Sequence, residues 1–344
     1  MTTPSRFLLA SVALLVVGCD PTATRLSPTR LEFLFAAHTR SFDLQGNLLL
    51  TGYGTPRLVR LDRQKLEFQD FSQGLPEGIS PSGELLADAQ GNLAAGGWYR
   101  GASDAQWTKL PELPSLARVF TFHGAGTVSA VVSGAQGLEL HRLEPPAGAW
   151  ALVGSLPDIA DLESSTFKAR QDGTLFIGQY AWVPGAAAAV PLLACPTVRI
   201  DQACEGGFEV FTHPRRNDTY LVSQPFPGVK TGKLFRVPEG ASFPLDYDAL
   251  KAIDFPAGRW TPVRVSSDGV LHVAWLQTVS LDYPPYEADE ATLYAVDAGG
   301  VRAEARLLWS ASRPVVGDHR DLYQASAQLA GSVWVPDPVY VWKF

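Results

Sequence analysis

The feature that most constrains this chain is a turn that repeats. A polar turn, usually closing on Gly and a small or polar residue, opens an apolar strand at Asp43-Leu44-Gln45-Gly46-Asn47 and Asp88-Ala89-Gln90-Gly91-Asn92. Further copies are His123-Gly124-Ala125-Gly126-Thr127, Arg170-Gln171-Asp172-Gly173-Thr174, Arg216-Asn217-Asp218-Thr219 (which lacks the Gly), Ser267-Asp268-Gly269-Val270 and Ala330-Gly331-Ser332-Val333. Between Gly46 and Gly331 the copies average about 47 residues apart, a period that either a four-stranded β unit or a pair of helices could occupy. Helices are excluded by the local pattern, because the segments are short, rich in Val, Leu, Phe, Tyr and Trp, and interrupted by Gly, Pro and Asp. Asp or Asn followed by Gly supplies the positive φ angles that a tight hairpin needs.

After most of these turns a further strand follows with two-residue alternation, as in Leu58-Val59-Arg60-Leu61-Asp62, Leu138–Leu143, Leu234–Val237 and Leu293–Asp297. Alternation of this kind marks a strand with one face buried against a neighbouring sheet. The chain ends in the strand Val339–Phe344, and Arg30–Phe35 has no repeat of its own. Pairing residues 30–36 with the last repeat would leave no lone edge. The expected fold is therefore all-β, a β-propeller of seven four-stranded blades (six or eight being the range), closed by N-terminal strand pairing with the C-terminal blade. The 35 positions from Gly91 to Gly126 are short for one repeat, so a strand of the second blade is expected to be missing or merged.

The Asp-x-x-Gly-Asn-Leu turn and the Leu-x-Arg-Leu-Asp strand resemble NHL-like and gluconolactonase-like propeller repeats, over most of residues 30–344. The gluconolactonase-like resemblance implies a central cation held by acidic and Asn residues at matching strand ends. Here those ends are aromatic or small, so no cofactor and no metal is expected. The Ser-x-Asp-x-Gly-x-x-Trp box of sialidases and the Trp-Asp dipeptide of WD40 repeats are not matched.

Residues 1–18 read as an export signal, with Arg6 as the positive region and Phe7–Val17 as an apolar run too short to span a bilayer as a helix. Val16-Val17-Gly18-Cys19 resembles the lipobox of bacterial lipoproteins, which implies that Cys19 becomes a lipid-bearing (palmitate-type acyl) N-terminus. Two acyl chains hold a protein stably at a membrane where one does not. Residues 19–29 would then be the lipidated Cys and a polar tether, and residues 30–344 the β-propeller domain. The expected localisation is the bacterial cell envelope, lipid-anchored, at the inner or the outer membrane. Cys195 and Cys204 form the remaining even pair and are read as a disulfide in that oxidising compartment, with zinc as the alternative.

The formal net charge is −7, with 35 acidic against 28 basic residues, so the chain has no excess with which to neutralise phosphates and no nucleic-acid partner is expected. Candidate binding residues are the aromatics placed at the ends of second strands: Tyr53, Trp98, Tyr99, Tyr180, Trp182, Phe226 and Trp275. They would either stack on a ligand at the channel mouth or fill the wedges between sheets. Asp318-His319-Arg320-Asp321 is expected in the loop entering the last blade, where His319 could serve acid–base chemistry or join a surface ion pair. Two insertions break the repeat: 182–205, with Ala186-Ala187-Ala188-Ala189, and 277–291, whose four carboxylates read as a solvated acidic loop or a Ca²⁺ site. No catalytic set emerges. The expected function is a non-catalytic binding or scaffold role for an envelope protein or polysaccharide; the alternative is a propeller hydrolase or lyase acting on a carbohydrate or lactone.

Overall fold

The structure is a computed structural model. It describes the strands and most turns between residues 24 and 342; the first 23 residues, the last two and shorter segments lie outside it, the longer of these being 32–36, 53–57, 76–85, 160–166, 195–207, 224–232, 310–314 and 317–321. The described residues are all-β, and the one helical element among them is the 3-10 turn Tyr247–Ala249. They form seven sheets of four or five strands, spanning 37–70, 86–109, 117–156, 167–191, 208–253, 259–309 and 315–342. Apart from a parallel strand at the edge of the sixth, neighbouring strands in these sheets run antiparallel, and the first strand of each sheet lies beside the first strand of the next along the chain.

The wedges between successive sheets hold the core. Leu49, Leu58, Leu75, Leu93 and Trp107 pack between the first and second sheets, and Ala94, Tyr99, Leu110, Val128 and Leu143 between the second and third. Val131, Leu140, Phe167, Leu175 and Trp182 fill the third-to-fourth wedge, Phe176, Phe208, Leu221 and Phe235 the fourth-to-fifth, and Tyr220, Leu234, Leu271 and Val273 the fifth-to-sixth. Each large apolar side chain so enclosed contributes roughly 1.5–3 kcal/mol. Because strand residues alternate in direction, Leu175 and Phe176 face different wedges, and one strand serves two interfaces.

The first six repeated turns each join the first strand of a sheet to its second. Gly91, Gly126, Gly173 and Gly269 take φ of 89°, 82°, 83° and 83°, the left-handed conformation that the turn chemistry demanded. The strands expected from Leu58, Leu138, Leu234 and Leu293 are all third strands.

Four expectations need correction. The second sheet lacks no strand: Leu86–Ala87, Leu93–Ala95, Trp98–Arg100 and Thr108–Lys109 are all present and simply short. The turn at Gly331 is not a first-to-second turn; it joins Ala327–Ala330 to Val333–Pro336 in a separate hairpin inserted before Val339–Trp342. The acidic stretch is not a loop, since Gln277–Asp282 and Pro285–Ala291 pair throughout and lengthen the second and third strands of the sixth sheet. The polar tether is partly strand: Thr24–Arg25 pairs in parallel with the outermost strand of the sixth sheet, at Ala305 and Arg306. Thr29–Leu31 pairs antiparallel with Val339–Val341 and is the outermost strand of the seventh, while the rest of the expected 30–36 lies outside the described residues.

Candidate functional site

A cleft of about 560 Å³ opens between the second and third sheets. Strands of the second sheet have two or three residues, and those of the third have six to eight. The fourth sheet, with strands of two or three residues, is equally short beside the third, yet that wedge is filled by Val131, Leu140, Phe167, Leu175 and Trp182, whereas on the second-sheet side Phe120 and Trp150 stay half-covered. The connector 110–116 spans the gap. Leu110 N–H donates to Gly97 O at 2.8 Å, and the Trp150 indole N–H donates to Pro111 O at 2.8 Å. Ser115 Oγ donates to Ser133 O at 2.8 Å, which ties the far end of the connector to the third sheet.

Phe120 and Trp150 form the aromatic wall, with ring centroids 6.3 Å apart and planes inclined at 50°. Both rest on the core of the second-to-third wedge and remain half-buried. Lys109 and Glu112 stand at the lip as an exposed pair with Nζ and Oε1 3.3 Å apart. An aromatic wall over an apolar floor, with a donor and an acceptor at the rim, suits a sugar ring or a flat apolar side chain, and the volume is that of a small-ligand pocket.

A second concentration of polar groups crosses the repeated turns of the fourth, fifth and sixth sheets. Arg170 Nη2 lies 2.6 Å from Asp172 Oδ2, and Asp172 N–H donates to Asn217 Oδ1 of the next turn at 3.0 Å. Asp218 accepts from Arg216 Nε at 3.0 Å and from Arg236 Nη2 at 2.9 Å. Burial alone would raise the Asp218 carboxyl, but the two guanidinium hydrogen bonds outweigh it and hold it below the ordinary carboxylate range. Asp172 is held low in the same way: burial opposes, and hydrogen bonds from Arg170 and Thr174 prevail. The Tyr220 hydroxyl donates to Gly269 O of the sixth sheet at 2.9 Å, and burial pushes its ionisation up to about 12.

In the sixth sheet His272 Nε2 lies 3.2 Å from Ser266 Oγ, and its Nδ1 lies 3.4 Å from Glu304 Oε2. The order of groups is that of a hydrolytic relay. Ser266 and His272 are both fully buried at 0% exposure, so no substrate can reach the hydroxyl. Ser266 also bonds Asp268, and the set ties the turn to the second and fourth strands of its own sheet.

The aromatics singled out in the sequence go to several places. Trp98, Tyr99, Tyr180 and Trp182 stand on third strands rather than at the ends of second strands, because the intervening turns at Gly97 and Gly178 come earlier than expected. Tyr99 and Trp182 are buried in wedges between sheets, and the Trp182 indole donates to Ala186 O at 2.9 Å. Trp98 borders the cleft yet packs against the first-to-second core. Tyr180 is half-buried. Trp275 is half-buried too, mid-strand opposite Trp260. Tyr53, Phe226, His319, Cys19, Cys195 and Cys204 lie outside the described residues; His319 falls between the first and second strands of the seventh sheet rather than ahead of its first.

Ala186–Ala189 lies along the outer strand of the third sheet, with Ser155 N–H donating to Ala187 O at 3.2 Å and Ala189 N–H to Ser155 O at 3.1 Å. Phe120, Trp150 and the connector were not legible as a site. The one available signal was the shortened spacing between Gly91 and Gly126, beside the Pro-rich run Leu110-Pro111-Glu112-Leu113-Pro114.

No protein-family model matches the chain, and no curated protein matches it in sequence. Among solved structures it is similar to the extracellular domain of a hybrid two-component system from B. thetaiotaomicron, with a TM-score of 0.48 and 8% identity over 93% of this chain and 40% of that one. It is also similar to TolB from Acinetobacter baumannii, with a TM-score of 0.40 and 10% identity over 92% and 79% of the two chains. A third is regucalcin, a calcium-binding protein from Agrobacterium tumefaciens, with a TM-score of 0.40 and 11% identity over 93% and 95%. The chain thus spans less than half the length of the first of these. No residue role is carried over from any of the three.

Proposed function

We propose that this chain is a lipid-anchored protein of the bacterial cell envelope, held through Cys19, that binds a polysaccharide or protein partner without transforming it. The finer fold reading belongs with it: a seven-bladed β-propeller closed where Thr29–Leu31 joins the C-terminal strand. The observation that carries the binding role is the aromatic cleft formed by Phe120 and Trp150 under the connector 110–116. Support for the anchor is the Val-Val-Gly-Cys sequence behind a short apolar run. Of the two partner classes, the cleft fits a ring presented edge-on, either a sugar or an aromatic side chain.

The test uses Cys19→Ser protein, purified in soluble form, titrated with oligosaccharide fragments of envelope glycans and, separately, with envelope protein extract. A saturable change in tryptophan fluorescence that disappears in Trp150→Ala and survives in Trp150→Phe is the expected result. A response that Trp150→Ala leaves unchanged would refute the cleft as the site. A response to extract alone would select the protein partner over the glycan.

A further inference from the structure

We infer that the outer edges of the sixth and seventh sheets face the lipid surface, and that the cleft is thereby carried on the far side of the molecule, directed away from it. This rests on the anchor at Cys19 proposed above and adds an orientation to it. The sequence alone suggests a polar tether over residues 19–29. In the structure Thr24–Arg25 is already a strand on the outer edge of the sixth sheet, and Thr29–Leu31 is the outer strand of the seventh.

Covalent geometry then sets the limit. Thr24 is the fifth residue after Cys19, and five residues span at most about 18 Å whatever their conformation. A small domain is about 30 Å across, so a chain of that reach cannot let the opposite side of the protein turn toward the anchor. The sheet edge at Ala305 and Arg306 must stay beside the headgroups.

The composition of those edges points the same way. The strands Thr24–Arg25, Thr29–Leu31, Gly300–Trp309 and Val339–Trp342 carry Arg25, Arg30, Arg302 and Arg306 against Glu304, in a chain whose net charge is −7, although Arg302 is paired with Glu304 and with Asp297 of the adjacent strand. Basic residues are drawn toward an anionic leaflet. The cleft lies between the second and third sheets, which on the seven-bladed ring proposed above is three steps from the sixth-to-seventh boundary and close to diametrically opposite it.

The experiment uses the lipidated full-length protein in vesicles of phosphatidylethanolamine and phosphatidylglycerol carrying a nitroxide on the headgroup. A genetically encoded fluorescent residue replaces Arg302, on the fourth strand of the sixth sheet beside Thr24–Arg25, or Gln106, in the loop between the third and fourth strands of the second sheet; Ala298 serves as a second position should the label at Arg302 disturb its ion pair with Asp297. Vesicle flotation reads the anchor, and quenching reads the orientation. Quenching several-fold stronger at 302 than at 106 is expected. Inserting about 20 Gly/Ser residues between Ala23 and Thr24, whose end-to-end distance is about 25 Å, is expected to bring the two values together. Floating protein with equal quenching at both positions overturns the orientation and leaves the anchor standing. Protein that fails to float, or floats equally as Cys19→Ser, overturns both.

Discussion

The second and sixth sheets have the same connectivity and very different extents. Strands of the second have two or three residues, and the four consecutive strands of the sixth have seven to thirteen. Where the sixth sheet meets the fifth, Leu271, Val273 and Val296 close completely over Tyr220 and Leu234, and ion pairs run along the turns above them. Where the second meets the third, the shorter sheet stops early, the connector fills in, and two aromatic rings are left half-covered. Repetition supplies the walls of this protein; a departure from the repeat length supplies the concavity.

This contrast can be broken in four ways, taken from the largest expected effect to the smallest. Leu271→Ala empties a fully buried position in the fifth-to-sixth wedge and should lower stability by about 3 kcal/mol in denaturant unfolding. A loss no larger than that of a rim substitution at the cleft would mean that the two interfaces do not differ.

Asp218→Asn should cost about 2 kcal/mol at neutral pH, since two charge-assisted hydrogen bonds lose their acceptor charge. The native carboxyl titrates below its ordinary value of 3.8, so its contribution is complete above that pH and is lost as pH falls through the depressed native value. Unfolding curves of parent and variant should therefore converge in acid; a constant difference down to pH 2 would contradict the ion-pair account.

Tyr220→Phe removes one buried donor and should cost about 1 kcal/mol, leaving Gly269 O with one partner fewer. Its raised ionisation stabilises the fold fully below pH 10, and that share is lost as pH rises from 10 to about 12. The variant should accordingly be less sensitive to alkali over that interval, which an alkaline unfolding series checks. Lys109→Ala, at the exposed lip of the cleft, should change stability by less than about 0.5 kcal/mol. A melting temperature well below that of the parent would make the lip a structural element and weaken the case for a binding rim.

The turns were readable because their chemistry is local: Gly173 and Gly269 adopt positive φ for reasons contained in four residues. Third strands such as Leu138–Leu143 were readable from alternation alone. The aromatics were not, because Trp98 and Tyr99 are neighbours in a strand and so point into different wedges, toward cores assembled from sheets on either side. Gly331 was misread for the opposite reason, since a good hairpin turn states that a hairpin forms and not which sheet it belongs to. The acidic stretch 277–291 looked like a loop because its composition is polar, whereas its pairing is a property of the two strands it extends.

The amino-acid sequence by itself determined the class of fold, the positions of six repeated turns and the alternation of buried and open faces, all of which follow from dihedral preference and residue period within a few positions. Which sheet stands beside which, how far each extends, and hence where Phe120 and Trp150 are left uncovered and where the N-terminal strands come to rest, was decided only in three dimensions. Those outcomes depend on pairing between segments hundreds of residues apart, such as Arg30 with Tyr340, and no short-range rule carries that information.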